Sequence, residues 1–456
     1  MAQKSTHEID ILNGPIVKKY ILYVIPLALG YILQLMFNAA DVIVVGQFAG
    51  TNALAAVGAN TALVALYLNL YSGLATGVNI LTAKYYATGN VKSIERIVHT
   101  SMGLSFAFGI LFLVVGIITA RPLLELVGTP DDIIDMADLY LVIYCFSLPA
   151  AVVYNFAAAI LRSIGDTKRP TLYLIIAGVV NVIINLVTVI VFKMGVAGVA
   201  LGTAISSYVS AVMIVVALMR EESSVKLVLR KMNLEPVICK DILQFGIPLA
   251  VQNSFFSIPN LMIQSSVNSF GSLYVAGNSA SQSIESFQLA FLSANGIGAA
   301  TFTSQHVGAR KFKRADKVVR TILIISTIMS LMIGVSFVLL RGPLISLYNS
   351  DKEVIAIASR RMIIMVMTDF LDAAMCILSN VIRGYGKSVP PMIITLIFVC
   401  GFRIIWIYGL FPMFRFYEFV ILAWPVSWIL AVPVLYLYYK KIRRGYPDTD
   451  AETAAV

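Results

Sequence analysis

Charge is what this sequence has least of. Asp, Glu, Lys and Arg make up 13% of its 456 residues, while hydrophobic residues make up 59%. Soluble globular chains carry roughly a quarter charged residues. So little charge cannot cover a water-facing surface, which excludes a soluble globular fold and leaves the lipid bilayer as the medium that accepts the chain. Histidine is nearly missing: there are three, His7, His99 and His306, and none stands in a cluster with acids. That excludes a histidine-built metal site and a His-activated nucleophile. The four cysteines, Cys145, Cys239, Cys376 and Cys400, are scattered, mostly in apolar runs, with neither metal-ligand spacing nor a disulfide framework. A phosphate loop is missing too. Gly384-Tyr385-Gly386-Lys387-Ser388 ends like one, but Val381 stands where its first glycine belongs and no strand precedes it. The polar start, Met1 to Lys19, does not read as a cleavable leader, so the first apolar helix is expected to stay and span. Neither an enzyme nor a cofactor is expected.

What the chain has in quantity is long apolar runs. A membrane helix needs about 20 apolar residues, and hydropathy puts such runs near 17–45, 53–83, 95–119, 133–162, 168–192 and 196–219, then near 241–266, 277–305, 317–340, 354–382, 389–413 and 419–440. This predicts an all-α integral membrane protein of twelve helices. The division expected is an N-terminal six-helix lobe over 1–222, a cytoplasmic linker over 223–240, a C-terminal six-helix lobe over 241–444 and a tail over 445–456. The net charge of +10 reads as a topology signal, not as affinity for nucleic acid. With the N-terminus inside, 26 of the 34 Lys and Arg fall on the cytoplasmic side and seven outside, namely Arg121, Lys193, Arg341, Lys352, Arg360, Arg361 and Arg415; Arg403 lies within a helix. Both termini are expected to be cytoplasmic.

The two halves repeat. Pro122 and Pro343 differ by 221, as do Arg162 and Arg383, Gly165 and Gly386, Pro170 and Pro391, Gly77 and Gly298, and Thr82 and Thr303, while Ile25-Pro26 matches Ile247-Pro248 at 222. Six helices per half give both halves one orientation, a parallel repeat about an axis along the membrane normal. Such pairs carry their substrate path between the halves and work by rocking.

An ionisable side chain within a span costs roughly 2.5–3.5 kcal/mol on insertion scales and is a functional candidate by default. Asp41, flanked by apolar residues in the first helix, suits a proton or cation site. Asn181 and Asn185 share a face of the fifth helix at i, i+4; their amides can serve a cation or a protonated acid, and equally can bridge helices. Thr203 in the sixth helix is a weaker candidate of the same kind. Asp369 and Asp372, at i, i+3 on the tenth helix, suit a proton carrier, because two close carboxylates do not both ionise cheaply. Glu285 on the eighth helix is a further acid, with Arg403 as its counter-charge; a static buried pair is the equal alternative. Pro26 and Pro248 remove matched backbone hydrogen bonds and can hinge or simply kink their helices.

Asp41-Val42-Ile43-Val44-Val45-Gly46, Leu161-Arg162-Ser163-Ile164-Gly165-Asp166, Gly195 to Thr203 and Phe245-Gly246-Ile247-Pro248 together resemble, in order and spacing, the motifs of the MATE (multidrug and toxic compound extrusion) family, over almost the whole chain. The resemblance implies the MATE fold and a secondary antiporter that exports organic cations or amphipathic compounds in exchange for H+ or Na+, as a monomer in a bacterial plasma membrane. It implies that Asp41 is the acid of the N-terminal cation site, with Asn181 and Thr203 as polar partners and Na+ at Asp41 as the one metal to consider. Asn185 stands where DinF-like relatives carry a second Asp. Asp372 stands eleven residues before Arg383, where NorM-like relatives carry a C-terminal acid; their acid on the seventh helix is absent at Phe256, and Glu285 is the substitute. The alternatives are a lipid-linked precursor flippase of a related fold, which predicts a basic cavity where the intramembrane charges here are mainly acidic, and a narrow-substrate metabolite exporter.

Overall fold

The computed structural model describes residues 8–450. Apart from one isolated bridge between Lys311 and Asp450, the described chain is helices and connections. The rods are α1 (Ile16–Phe48), α2 (Thr51–Tyr86, broken at Asn60), α3 (Val91–Leu126), α4 (Ile134–Cys145 continued by Leu148–Ser163), α5 (Lys168–Val191), α6 (Gly195–Met219), α7 (Pro236–Phe255 continued by Ser257–Asn268), α8 (Ser272–Gly308), α9 (Phe312–Leu339), α10 (Lys352–Gly384), α11 (Val389–Leu410) and α12 (Tyr417–Arg443). Among the described residues nine rods are long and apolar enough to cross a bilayer, and α4, bent by 44°, makes a tenth. The other two, α7 and α8, are more polar. In α8 the polar positions Asn278, Glu285, Gln288 and Asn295 are buried, so they face protein and not lipid. Apolar side chains such as Ile118, Val191, Met332 and Leu339 stand exposed, and hydrocarbon is the medium that can cover them.

The duplication seen in the sequence recurs in the backbone. The α4–α5 turn needs positive φ at Gly165 (96°) and the α10–α11 turn needs it at Gly386 (86°), a region that costs any residue with a Cβ. Rod starts are capped locally: Asn90 accepts from Ser93 N–H at 3.1 Å ahead of α3, and Asp351 accepts from Glu353 N–H at 2.8 Å ahead of α10.

Contacts divide the chain into two units. The first holds Leu29–Ala250 with Glu8 and Ile9; the second holds Asp10–Ala28 and residues 251–450. Thus α1 changes unit after Ala28 and α7 after Ala250, each two residues past its proline. Within the first unit the early part of α7 lies on α2, where a Cβ on Gly77 would stand 2.5 Å from the Ile242 carbonyl. Within the second, the early part of α1 lies on α8, where a Cβ on Gly298 would meet Tyr20 at 2.9 Å. Small residues let helices approach closely in a membrane protein, and here the same repeat position does so twice. Tyr20 Oη also donates to Asn295 Oδ1 at 3.0 Å, and Tyr23 Oη lies 2.9 Å from Thr301 Oγ1.

The polar stretch between α6 and α7 is a strap laid along one face of α3. Arg96 Nε donates to both Glu235 carboxylate oxygens at 2.9 Å, Thr100 Oγ1 donates to Asn233 Oδ1 at 3.2 Å, and Val228 N–H donates to His99 Nε2 at 3.1 Å. The Arg96 guanidinium holds the Glu235 carboxyl below the usual carboxylate range.

Candidate functional site

In the first unit α1, α5 and α6 line an open cavity of about 130 Å³. Gln34, Asn38 and Asp41 reach it from α1 at i, i+4, i+7, one helical face. Thr203, Ser206, Ser207 and Ser210 reach it from α6 at i, i+3, i+4, i+7, and Asn181 from α5. Leu33, Phe37 and Leu174 supply an apolar side. Asn185 is fully buried next to the cavity, and its Nδ2 donates to Asp41 Oδ1 at 2.6 Å. The Asn181 amide is satisfied when its nitrogen donates to the same Oδ1 at 2.8 Å and its oxygen accepts from Thr203 N–H at 3.2 Å. One carboxylate oxygen thus takes two amide N–H donors. The Thr203 contribution is its backbone, since its hydroxyl donates to the Val199 carbonyl at 3.1 Å. Asp41, Asn181, Asn185 and Thr203, read from sequence as one cluster, do come together. Gly202 makes this fit: the Asn185 Oδ1 occupies the space that a Cβ there would need, 1.9 Å away.

In the second unit the expected pairing of Glu285 with Arg403 is not what forms. Arg361 takes Glu285 instead, donating from Nε to Oε1 at 3.1 Å and from Nη2 to Oε2 at 2.8 Å. Ser281 Oγ adds a donor to Oε1 at 2.7 Å, and Arg361 Nη1 reaches Asn278 Oδ1 at 3.0 Å. Arg361 was counted as an outer-loop cation; it lies inside α10, 2% exposed. The reason is position: α10 begins at Lys352, so residue 361 is already more than two turns into the rod. Arg403 bonds Ser427 Oγ at 3.1 Å and lies over the Trp424 ring at 5.5 Å, while Arg361 lies over the same ring at 5.0 Å. Asp369 is 2% exposed and has no hydrogen bond among the described residues. It shares its surroundings with Asp372, Glu285 and Arg361, and Arg403 is the cation whose field reaches Asp372. Pro26 and Pro248 lie inside their rods.

The sequence pattern of the MatE family matches the chain twice, over residues 26–187 and 248–408. The chain belongs to the MATE family. The probable multidrug resistance protein YoeA of Bacillus subtilis (strain 168) is 24% identical over 430 residues, 92% of each chain. The probable multidrug resistance protein NorM of Thermotoga maritima is 28% identical over 391 residues, 82% of this chain and 81% of that one. A solved multidrug resistance MATE family transporter of the MOP superfamily, in its outward-facing conformation, superposes with a TM-score of 0.89 at 20% identity, covering 97% of this chain and 99% of that one. The two matched segments start 222 residues apart, the offset of the two prolines.

MATE proteins are multi-pass membrane transporters of small molecules, not enzymes, and this chain has the MATE fold. Three features of the site were not read from the sequence. Gln34 and Asn38 continue the Asp41 face, a spacing that is visible once Asp41 is taken as the anchor. Of the α6 hydroxyl residues Thr203 was a candidate, while Ser206, Ser207 and Ser210 are of a type too ordinary in membrane helices to stand out. Arg361 was hidden by its neighbour Arg360, which stands on the exposed face of the same rod and bonds Glu418.

Proposed function

We propose that this MATE protein is a multidrug efflux antiporter that exports organic cations in exchange for protons entering at Asp41. The observation that carries the reading is the single carboxylate of Asp41 in a polar-walled cavity, held by the Asn185 and Asn181 amides. The multidrug resistance names of its relatives support the substrate class. The proton is favoured over sodium because both amides turn nitrogen toward Asp41. A sodium ion wants oxygen ligands, and Asn185 in place of an acid removes one. A cationic drug and a proton then compete for one carboxylate: loading from the cytoplasm, rocking outward, and protonation of Asp41 from outside would release the drug. An inward potential of about 100 mV adds roughly 2.3 kcal/mol per charge moved across it. The bilayer is a bacterial plasma membrane with both termini cytoplasmic, as the Lys and Arg distribution supports, and the working unit is the monomer.

The test uses purified protein in liposomes loaded with a cationic dye, under a pH gradient and then under a sodium gradient, with wild type and Asp41→Asn compared. A pH gradient is expected to drive dye movement, and the variant to lose it by at least about tenfold. Movement under sodium alone overturns the choice of ion. Full transport in the variant moves coupling to the Asp372 side. No dye movement in folded protein removes the multidrug reading.

A further inference from the structure

The α6 wall of the Asp41 cavity has a hydrogen-bonding polarity of its own. Each of its hydroxyls spends its proton on its own helix. Ser206 Oγ and Ser207 Oγ donate to the Thr203 carbonyl at 3.0 and 2.7 Å, Ser210 Oγ donates to the Ser207 carbonyl at 2.8 Å, and Thr203 Oγ1 donates to Val199. A hydroxyl has one proton to give and two lone pairs, so what remains for the cavity is acceptor capacity. Asp41 adds more, because its Oδ2 has no hydrogen bond among the described residues while Oδ1 takes the amide donors. Gln34 and Asn38, on the α1 face of Asp41, line the same cavity without a side-chain partner among the described residues, and a terminal amide can present its oxygen or its NH2 by a half-turn. Asn181 commits its nitrogen to Asp41. The polar wall is thus rich in acceptors, with the Gln34 and Asn38 amides able to turn either end to a ligand, and the Leu33–Phe37–Leu174 side offers none.

We propose that Ser206, Ser207 and Ser210 select among cationic substrates: the cavity takes amphipathic amines whose charged nitrogen carries N–H donors, and discriminates against quaternary ammonium ions of the same size. This rests on the reading of the cavity as the substrate path and adds its substrate class. A protonated amine has two or three N–H groups to share between Asp41 and the serine lone pairs. A trimethylated nitrogen carries the charge without a donor, and leaves these acceptors, Ser206 and Ser210 among them buried, facing methyl groups.

The experiment compares dansylcadaverine, a primary amine, with its trimethylammonium derivative in the full-length protein. Equilibrium binding is read by fluorescence in detergent and gradient-driven movement in liposomes. One charge-assisted hydrogen bond is worth a preference of about tenfold or more for the primary amine. The Ser206→Ala/Ser207→Ala/Ser210→Ala variant is expected to lower the ratio several-fold, leaving the share that Asp41 contributes. These hydroxyls bond only within their own helix, so the change is mild for the fold; Ser207→Ala alone, expected to lower the ratio partway, serves if the triple variant is unstable. Equal binding of the two probes by the wild type, or an undiminished preference in the variants, overturns the proposal. A binding preference without movement under any gradient upholds it and removes the antiporter reading instead.

Discussion

At position 202 the smallest residue faces the Asn185 amide, and the oxygen of that amide fills the volume a Cβ would take, 1.9 Å from it. The Asn185 nitrogen is thereby turned to Asp41. Gly202→Ala must move either the amide or the α5–α6 packing. Overpacking of this kind costs about 1–3 kcal/mol; an Asn185 amide pushed aside also strips Asp41 of its shorter hydrogen bond. The expected outcome is a folded protein, a few degrees less stable to heat, whose gradient-driven dye movement falls about tenfold. Wild-type transport in a protein with a lowered melting temperature would make Gly202 a packing residue only. The sequence carried part of this site plainly. A lone Asp among apolar residues, and two Asn at i, i+4, are rare enough in a membrane span to announce themselves. Which way an amide turns, and that a glycine on the next helix decides it, depends on tertiary contact that no spacing encodes. The α6 serines hid for the opposite reason: their residue type is ordinary, and what distinguishes them is which lone pairs stay free.

The rods themselves were legible because a span must be apolar over its length, while their ends run a few residues beyond the apolar stretch, as in α3 (Val91–Leu126) and α8 (Ser272–Gly308). Where a cation lies along a rod was less legible. Arg361 and Glu285 join α10 to α8, and the Arg361 contact with Trp424 brings in α12. A buried bidentate pair with further donors is a staple between elements, and breaking one partner leaves a charge without compensation at a cost of about 3–5 kcal/mol. Glu285→Gln and Arg361→Gln are each expected to lower the unfolding temperature in detergent markedly, while the double variant recovers much of the loss. A coupling acid would behave differently: Glu285→Gln would then keep its stability and lose gradient-driven transport. The strap between α6 and α7 is an element of the same kind outside the span. Its polarity was readable as a linker, but its docking on Arg96, His99 and Thr100 comes from a face of α3 that also reads as an ordinary cytoplasmic helix end. The depressed Glu235 carboxyl gives this exposed contact a small stabilising effect present above the ordinary carboxylate pKa and lost as pH falls through its lowered value.

At the scale of the whole chain the internal repeat foretold two similar bundles, and the family pattern and the backbone both follow it. What covalent order does not reveal is that contacts pass the first helix of each half between units: α1 after Ala28, α7 after Ala250. Pro26 and Pro248 stand two residues before those junctions, inside the continuous segments Ile16–Phe48 and Pro236–Phe255. Any rearrangement of one unit against the other has to be absorbed where a single helix belongs to both, and a proline lowers the cost of bending there by removing a backbone hydrogen bond. Pro26→Ala and Pro248→Ala restore that bond and stiffen the junction, a local gain in helix stability of up to about 3 kcal/mol. Equilibrium binding of a cationic dye should stay within about twofold of wild type, because neither proline lines the Asp41 cavity. Turnover in liposomes should fall several-fold in each single variant and further in the double one. Slow turnover with intact binding puts the prolines in the switching step. Wild-type turnover in the double variant would mean that α1 and α7 cross between units as stiff rods, and that the motion is absorbed in the connections around them.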